Sequence, residues 1–399
     1  MASSKSKMKR YKTELMEKMV IYCLLFVFPL GQLIALKLKY AGVRVVVHPI
    51  DAIALFTLGL YAVGLIKEIP AFKHLKDYIL VSLFSLVFSL NVFSPEQVLV
   101  GSMYLIRFAS YTTLFLAVYE FVKNSKARQK YLFEGLIGVV VVTAVLGWMQ
   151  YIFIPDLRDL AYLGWDNHLF RLVGAFLDPG FTGIILTLGA ILSGMLYLKK
   201  RQKLYLVISF FLILTVAFTY SRASYLALIA GFSYLIIRKF KIKMVFFSIL
   251  IFGLLILLLP RPSSEGVKLE RVYSATQRLG NYSQTLQIFE KSPVFGVGFN
   301  NICFAREKYI KGNKLFSNAC ASADSSLLFV LATTGVVGFL ILTYAFYKIY
   351  KKLGDGFYAQ SLKAVALAVF VHSFFANSIF YPWVMAYMAT LLALGVAEN

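Results

Sequence analysis

Twelve apolar runs of 17–25 residues set the limits on what this chain can fold into. They cover 19–36, 45–66, 78–94, 98–122, 131–154, 179–198, 204–220, 222–238, 244–260, 324–347, 358–378 and 381–397. A helix of that length spans the ~30 Å hydrocarbon layer of a bilayer at ~1.5 Å per residue. Lipid offers the backbone no hydrogen-bond partners, so spanning segments are helices or a closed barrel. These runs are continuous and lack alternation, which selects helices. Composition agrees, with 59% hydrophobic and 15% charged residues. The expected fold is an all-α integral membrane protein of about 12 transmembrane helices, with 1–399 forming one polytopic domain.

Charge orients the spans. The net charge is +22, and 24 of the 41 Lys/Arg lie in six short segments: 1–18, 67–76, 123–130, 199–203, 238–243 and 348–352. These segments alternate with the apolar runs, as the positive-inside rule requires of cytoplasmic loops. The basicity therefore reports topology and not nucleic-acid binding. Both termini are expected inside the cytoplasmic membrane. Lys5, Lys7, Lys9, Arg10 and Lys12 before the run 19–36 look like a signal peptide, but the run is long and no small-x-small site follows, so an uncleaved first span is expected. Lys37, Lys39 and Arg44 strain the rule, since this count puts them outside; snorkelling or a shorter second span would account for them.

The outer side then receives 261–323, a large loop inserted between transmembrane helices 9 and 10. Its 63 residues are mostly polar and carry nine Lys/Arg against four Glu. Leu279, Tyr282, Leu286 and Phe289 recur at helical spacing, which predicts a helix over 275–291 with its apolar stripe on the membrane domain. Ser274-Ala-Thr-Gln277 fits a capping box, and a second short helix is expected over 302–312. Of the three cysteines, Cys303 and Cys320 share this loop. Outside the cytoplasm they are free to form a disulfide or to remain thiols.

Several chemistries find no support. There is no GxxxxGK[ST], and Gly296-x-Gly298 lacks a third glycine and a preceding strand, so nucleotide binding is unsupported. No HExxH or carboxylate-rich metal cluster is present. A basic loop on the side without ATP calls for an activated anionic substrate that arrives as a lipid conjugate.

Five stretches now bear on function: Arg171-Leu-Val-Gly-Ala-Phe-Leu-Asp-Pro179, Thr219-Tyr-Ser-Arg222-Ala-Ser, Arg278-Leu-Gly-Asn-Tyr-Ser-Gln-Thr-Leu-Gln-Ile-Phe, Ser292-Pro-Val-Phe-Gly-Val-Gly-Phe299 and Asp324-Ser-Ser-Leu-Leu-Phe-Val-Leu-Ala-Thr-Thr-Gly335. In this order they resemble the O-antigen ligase and polymerase superfamily of membrane glycosyltransferases, over about 165–345. The resemblance implies transfer of a glycan from an undecaprenyl-diphosphate carrier to an acceptor glycan or glycolipid at the outer face of the membrane, without a cofactor or metal. Such ligases carry a histidine followed by asparagine where the long loop meets the next span. This chain has Ser322-Ala-Asp324-Ser-Ser there, which leans toward a polymerase or another carrier-dependent transferase.

Carried onto this sequence, the resemblance gives Arg222 and Arg278 as the residues that hold the diphosphate, with Arg171 assisting. Planar, permanently charged guanidinium groups suit a leaving diphosphate. Asp324 is the candidate base on the acceptor hydroxyl, or else the cap of span ten. His168 is a second candidate for that role. Inversion at the anomeric carbon is expected. Asp51 and Arg107, at similar depth in their spans, are expected to form an ion pair that His48 can join. A polysaccharide transporter or flippase is the rival from another class, and it would show broken helices and related halves. A non-catalytic scaffold would not need the arginine motifs.

Overall fold

A helix stands at each of the twelve expected spans. The computed structural model describes residues 2–163, 167–239, 241–260, 262, 264–270, 272–310 and 323–398. Within them lie α1 (Ala2–Val27), α2 (Pro49–Ala62), α3 (Pro70–Ser89), α4 (Pro95–Val122), α5 (Lys126–Phe153), α6 (Pro179–Lys200), α7 (Lys203–Ala217), α8 (Arg222–Lys239), α9 (Lys243–Leu257), α10 (Tyr273–Lys291), α11 (Ile302–Tyr309), α12 (Ser326–Lys352), α13 (Phe357–His372) and α14 (Pro382–Ala397). Four of these, α4, α5, α6 and α12, are long and apolar enough to cross a membrane by length and composition. Five more, α2, α7, α9, α13 and α14, are apolar but 10–17 residues long. The count of about twelve full-length crossings is therefore reached only in part.

The starts of the long helices are written locally. Ser94, Ser125, Asp178 and Ser325 accept the backbone N–H three residues on, at the N-termini of α4, α5, α6 and α12. Each cap satisfies one of the donors that a helix start leaves open. α14 is buried nearly throughout, and it packs on α4 and α13, while α8 packs on α13 and α6. α9 is the opposite case, with Phe252 its one buried residue.

One expected span is shortened for a visible reason. Leu36–Tyr40 (β1) and Val43–Val47 (β2) form an antiparallel hairpin through Ala41 and Gly42, both at positive φ. That is the turn geometry that matches strand twist. The hairpin takes Val45–Val47 from span two, so α2 begins at Pro49. It also places Lys37, Lys39 and Arg44 on exposed strand positions, ahead of a second helix that is shorter than the expected span.

The expected Asp51–Arg107 pair is present. Arg107 Nη2 lies 3.0 Å from Asp51 Oδ2, Tyr111 donates to Asp51 Oδ1 at 2.9 Å, and the His48 N–H donates to Oδ2 at 2.9 Å. Arg107 also donates to the Val46 carbonyl. His48 and Asp51 together form a capping box on α2.

α12 is broken where a continuous span was expected. Gly335 sits at φ 67°, ψ −172°, and the turn on either side loses its helical partners. The segment 293–297 fills the break: Val297 N donates to Ala332 O, Val336 N to Pro293 O and Val337 N to Val294 O, at 3.0, 2.8 and 3.2 Å. A Cβ on Gly335 would lie 2.1 Å from Val294 O, and one on Gly296 would lie 2.3 Å from the Thr333 carbonyl carbon. Glycine at both positions lets two backbones meet face to face. Irregular backbone inside an apolar bundle is tolerated because protein, and not lipid, satisfies it. The Ser292–Phe299 motif is thus the plug that fixes the long loop onto α12.

Candidate active site

Arg222 opens α8, directly after the turn that ends α7. Helix ends leave carbonyls unsatisfied and favour cations. Arg171 answers both needs: its Nε donates to Thr219 O at 3.0 Å and its Nη2 to Tyr220 O at 3.3 Å. The Leu172 N–H adds a bond to Phe218 O at 3.0 Å. Arg171 is 9% exposed. It is built into the turn that precedes Arg222. Arg222 itself is half-buried, with Nη1 donating to Leu269 O at 3.1 Å.

α10 packs on α12 and α11 and brings Arg278 near Arg222. Arg278, Asn281, Tyr282 and Thr285 follow the i, i+3, i+4, i+7 pattern of one helix face. Arg278 stands close enough to Arg222 for the two charges to repel. Its side chain makes no hydrogen bond or ion pair among the described residues. Asn281 Oδ1 accepts the Asp324 N–H at 3.0 Å. Tyr282 donates toward Asp324 O at 3.4 Å and to Phe374 O. Burial pushes the Tyr282 phenol up, the Arg278 charge opposes this and the Asp324 charge adds to it. Tyr282 therefore stands between the arginine pair and the carboxylate.

Two details of this helix differ from expectation. It starts at Tyr273 with Val272 at the N-cap, so Ser274 lies inside the first turn and does not cap it. Its packed face is Thr285 and Ile288, with Phe289 partly buried, while Leu279 and Leu286 of the expected stripe are exposed. The stripe is thus divided: Tyr282 and Phe289 turn inward, while Leu279 and Leu286 turn outward. The second loop helix, α11, falls within 302–312 as expected.

Asp324 is half-buried and precedes α12. Ser325, and not Asp324, caps that helix, with Leu328 N donating to Ser325 Oγ at 3.4 Å. The carboxylate is thus not used as a helix cap. Arg306 of α11 faces it from below. It is 2% exposed, and its Nη2 donates to Thr285 Oγ1 at 3.4 Å. Burial lowers the Arg306 pKa, and the attraction of Asp324 opposes that shift. Sequence reasoning passed over Arg306 because nothing local distinguishes it from the solvated Lys308 two residues on.

The floor beneath Arg278 is a buried polar network. His372, the last residue of α13, is fully buried, with Nδ1 2.6 Å from Ser378 Oγ and Nε2 3.4 Å from Ser224 Oγ. Ser224 also donates to Ser221 Oγ at 2.8 Å. The loop after α13 is tied to the start of α12, with Ser326 N donating to Ser373 O at 2.9 Å. Within it Asn377 keeps a buried Oδ1 that has no hydrogen-bond partner among the described residues. His372 was missed too. The signal available was a histidine closing an apolar run, followed by Ser373, Asn377 and Ser378.

His168 lies on the segment that leads into Arg171. It is buried, and its carbonyl accepts the Leu157 N–H at 2.8 Å beside the Asp156–Leu169 bridge. Its described contacts thus lie on the α5–α6 connection. Cys303 is disulfide-bonded and Cys23 is free, while Cys320 lies outside the described residues.

Of the predicted site residues, then, Arg278 lies near Arg222, its helix neighbours Asn281 and Tyr282 bond to Asp324, Arg171 holds the turn before Arg222, and His168 lies on the segment that leads into Arg171. Residues 207–343 match a family model described as O-antigen ligase. The matched stretch takes in Arg222, Arg278, Arg306 and Asp324. No curated protein matches the chain.

Proposed function

We propose that this chain, which carries an O-antigen ligase domain over residues 207–343, transfers a glycan from an undecaprenyl-diphosphate carrier to a hydroxyl of an acceptor glycan or glycolipid. The observation that carries this reading is the pairing of Arg222 with Arg278 next to Asp324. Arg278 makes no hydrogen bond or ion pair among the described residues, and a diphosphate is the ligand that its guanidinium, with a second one beside it, fits. As the glycosidic bond breaks, its electron pair leaves with the diphosphate oxygen. Fixed cations at that oxygen stabilise the charge where it develops.

Asp324 acts on the other partner. The acceptor oxygen attacks the anomeric carbon, its proton passes to the Asp324 carboxylate, and the configuration inverts. Arg306 is the buried cation that faces Asp324. Arg171 holds the Thr219–Tyr220 turn that presents Arg222, and His168 extends the same support. The exposed outer end of α10 leaves the acceptor a route to Asp324. A transporter would also carry broken helices, but here the groups freed at Gly335 are bonded to the protein's own loop, which leaves no open backbone site for an ion.

The test is Asp324→Asn. Ser325 caps α12, so the amide leaves that helix start intact. It cannot take a proton, and transfer from a purified lipid-linked donor should fall by ~10²–10⁴. A rate within about twofold of the parent, at equal amounts of folded protein, removes Asp324 from the chemistry.

Placement in the cytoplasmic membrane, with both termini inside and 261–323 outside, completes the proposal. It rests on the alternation of basic segments. In a Cys23→Ser background, Leu279→Cys on exposed α10 should react with an impermeant thiol reagent in intact cells, and Lys203→Cys should not. The reverse pattern would overturn the orientation.

A further inference from the structure

The end of α8 remote from Arg222 carries a second feature. α8 runs 18 residues from Arg222 to Lys239, so its ends stand about 25 Å apart at ~1.5 Å per residue. There, where α6 and α8 finish and α13 begins, lies a cavity of about 360 Å³. Its inner wall is apolar, formed by Met195, Leu198 and Leu235. Its rim is cationic, formed by Lys199, Arg238 and Lys239.

The one carboxylate of the lining, Asp355, is already held. Arg238 Nη2 lies 3.1 Å from its Oδ1, Gln360 donates to the same oxygen at 2.5 Å, and Lys363 Nζ is 3.7 Å away. Lys199 rests its ammonium 4.0 Å over the Phe357 ring. Among the described residues neither Lys199 nor Lys239 meets a carboxylate. Neighbouring Lys200 does, at 2.6 Å from Glu134, so pairing is the local habit and the two rim lysines depart from it. The start of α13 is also closed, because the Glu398 carboxylate takes the N–H groups of Phe357, Tyr358 and Ala359.

We propose that this cavity binds an anionic phospholipid. The phosphodiester lies between Lys199, Lys239 and Arg238, and the first part of an acyl chain runs along Met195, Leu198 and Leu235. An apolar wall directly inside a cationic rim, at the end of α6, a helix long and apolar enough to cross a membrane, is the arrangement a charged headgroup with a hydrocarbon tail requires. A free phosphate would use the rim and leave the wall unoccupied. The site is separate from the transfer site, and its test does not depend on glycan chemistry.

Native mass spectrometry of the purified full chain in detergent can follow the tightest-bound molecule during titration. The probes are dioleoylphosphatidylglycerol, dioleoylphosphatidylcholine and sodium phosphate. Phosphatidylglycerol should bind about tenfold or more tighter than phosphatidylcholine. Lys199→Gln with Lys239→Gln should weaken phosphatidylglycerol by about tenfold or more and leave phosphatidylcholine unchanged. Leu235→Trp, which fills the wall, should remove the lipid preference and spare phosphate. Equal binding of the two lipids by the unmodified chain overturns the proposal, with no variant needed. So does a double variant that melts like the parent and binds phosphatidylglycerol equally well. Displacement of phosphatidylglycerol by an equal concentration of sodium phosphate would assign the rim to a free anion instead.

Discussion

Asp51–Arg107 and Arg222–Arg278 are both charged clusters set at helix positions in an apolar bundle, and they follow opposite rules. In the first, the carboxylate meets a guanidinium, a phenol and a backbone N–H, and the guanidinium also holds a carbonyl. Its charges cancel within the fold. In the second, two cations are held side by side, and one of them, Arg278, makes no hydrogen bond or ion pair among the described residues. The carboxylate nearby, Asp324, is shared with a third arginine, Arg306. A cluster that closes on itself serves stability. In the second, Arg278 has no such partner among the described residues, and the proposed function supplies one in the carrier's diphosphate.

The largest effect should come from breaking the closed cluster. Arg107→Ala leaves Asp51 as a buried charge without its counter-ion, which costs about 3–5 kcal/mol of stability. Thermal or denaturant unfolding in detergent reads this directly. Transfer per folded molecule should stay near that of the parent. A hundredfold loss in the folded fraction would instead tie this pair to the carrier and dissolve the contrast.

In the open cluster the ranking reverses, with a small change in stability and a large one in rate. Arg222→Lys keeps the charge and loses the planar fork. A charge-assisted contact is worth roughly 1.5–3 kcal/mol, or about ten- to hundredfold in rate. Steady-state transfer from a lipid-linked donor should show this loss with folding intact, and full activity would exclude a forked contact.

The most local effect concerns the plug. Gly335→Ala forces a positive φ on alanine, at a cost of about 1–3 kcal/mol, and puts a Cβ 2.1 Å from Val294 O, so the 293–297 segment must shift. Amide exchange at Val297, Val336 and Val337 should speed up, while the ends of α12 keep their protection. Unchanged exchange at all three would mean that the loop is held by other contacts.

The helices at the expected spans, both loop helices and the Asp51–Arg107 pair were legible because each is a matter of local period or of depth along a helix, whereas only four of those helices are long and apolar enough to cross a membrane. The hairpin was legible in principle. Leu36-Lys-Leu-Lys-Tyr40 alternates strictly and Ala41-Gly42 follows, but Val45–Val47 merged by hydropathy into the next span. The break in α12 was hidden, since Gly335 lies in an apolar run and its partner is the segment 293–297, about 40 residues earlier in the chain. Within the site, Arg222, Arg278 and Asp324 stood out by motif. Arg306 and His372 did not, because burial of a polar side chain follows from packing between distant segments. The inner face of α10 misled for the same reason: its buried residues are polar where they meet the site.

Arg278→Ala tests the central claim most directly. Arg278 supports nothing else by hydrogen bond or ion pair among the described residues, and its loss relieves the repulsion on Arg222. Stability should therefore hold or rise slightly. Glycan transfer from the lipid-linked donor, measured per folded molecule, should fall by about ten- to hundredfold. Transfer at the parental rate with a stable fold would contradict the account, because the Arg278 charge would then have no part in the reaction.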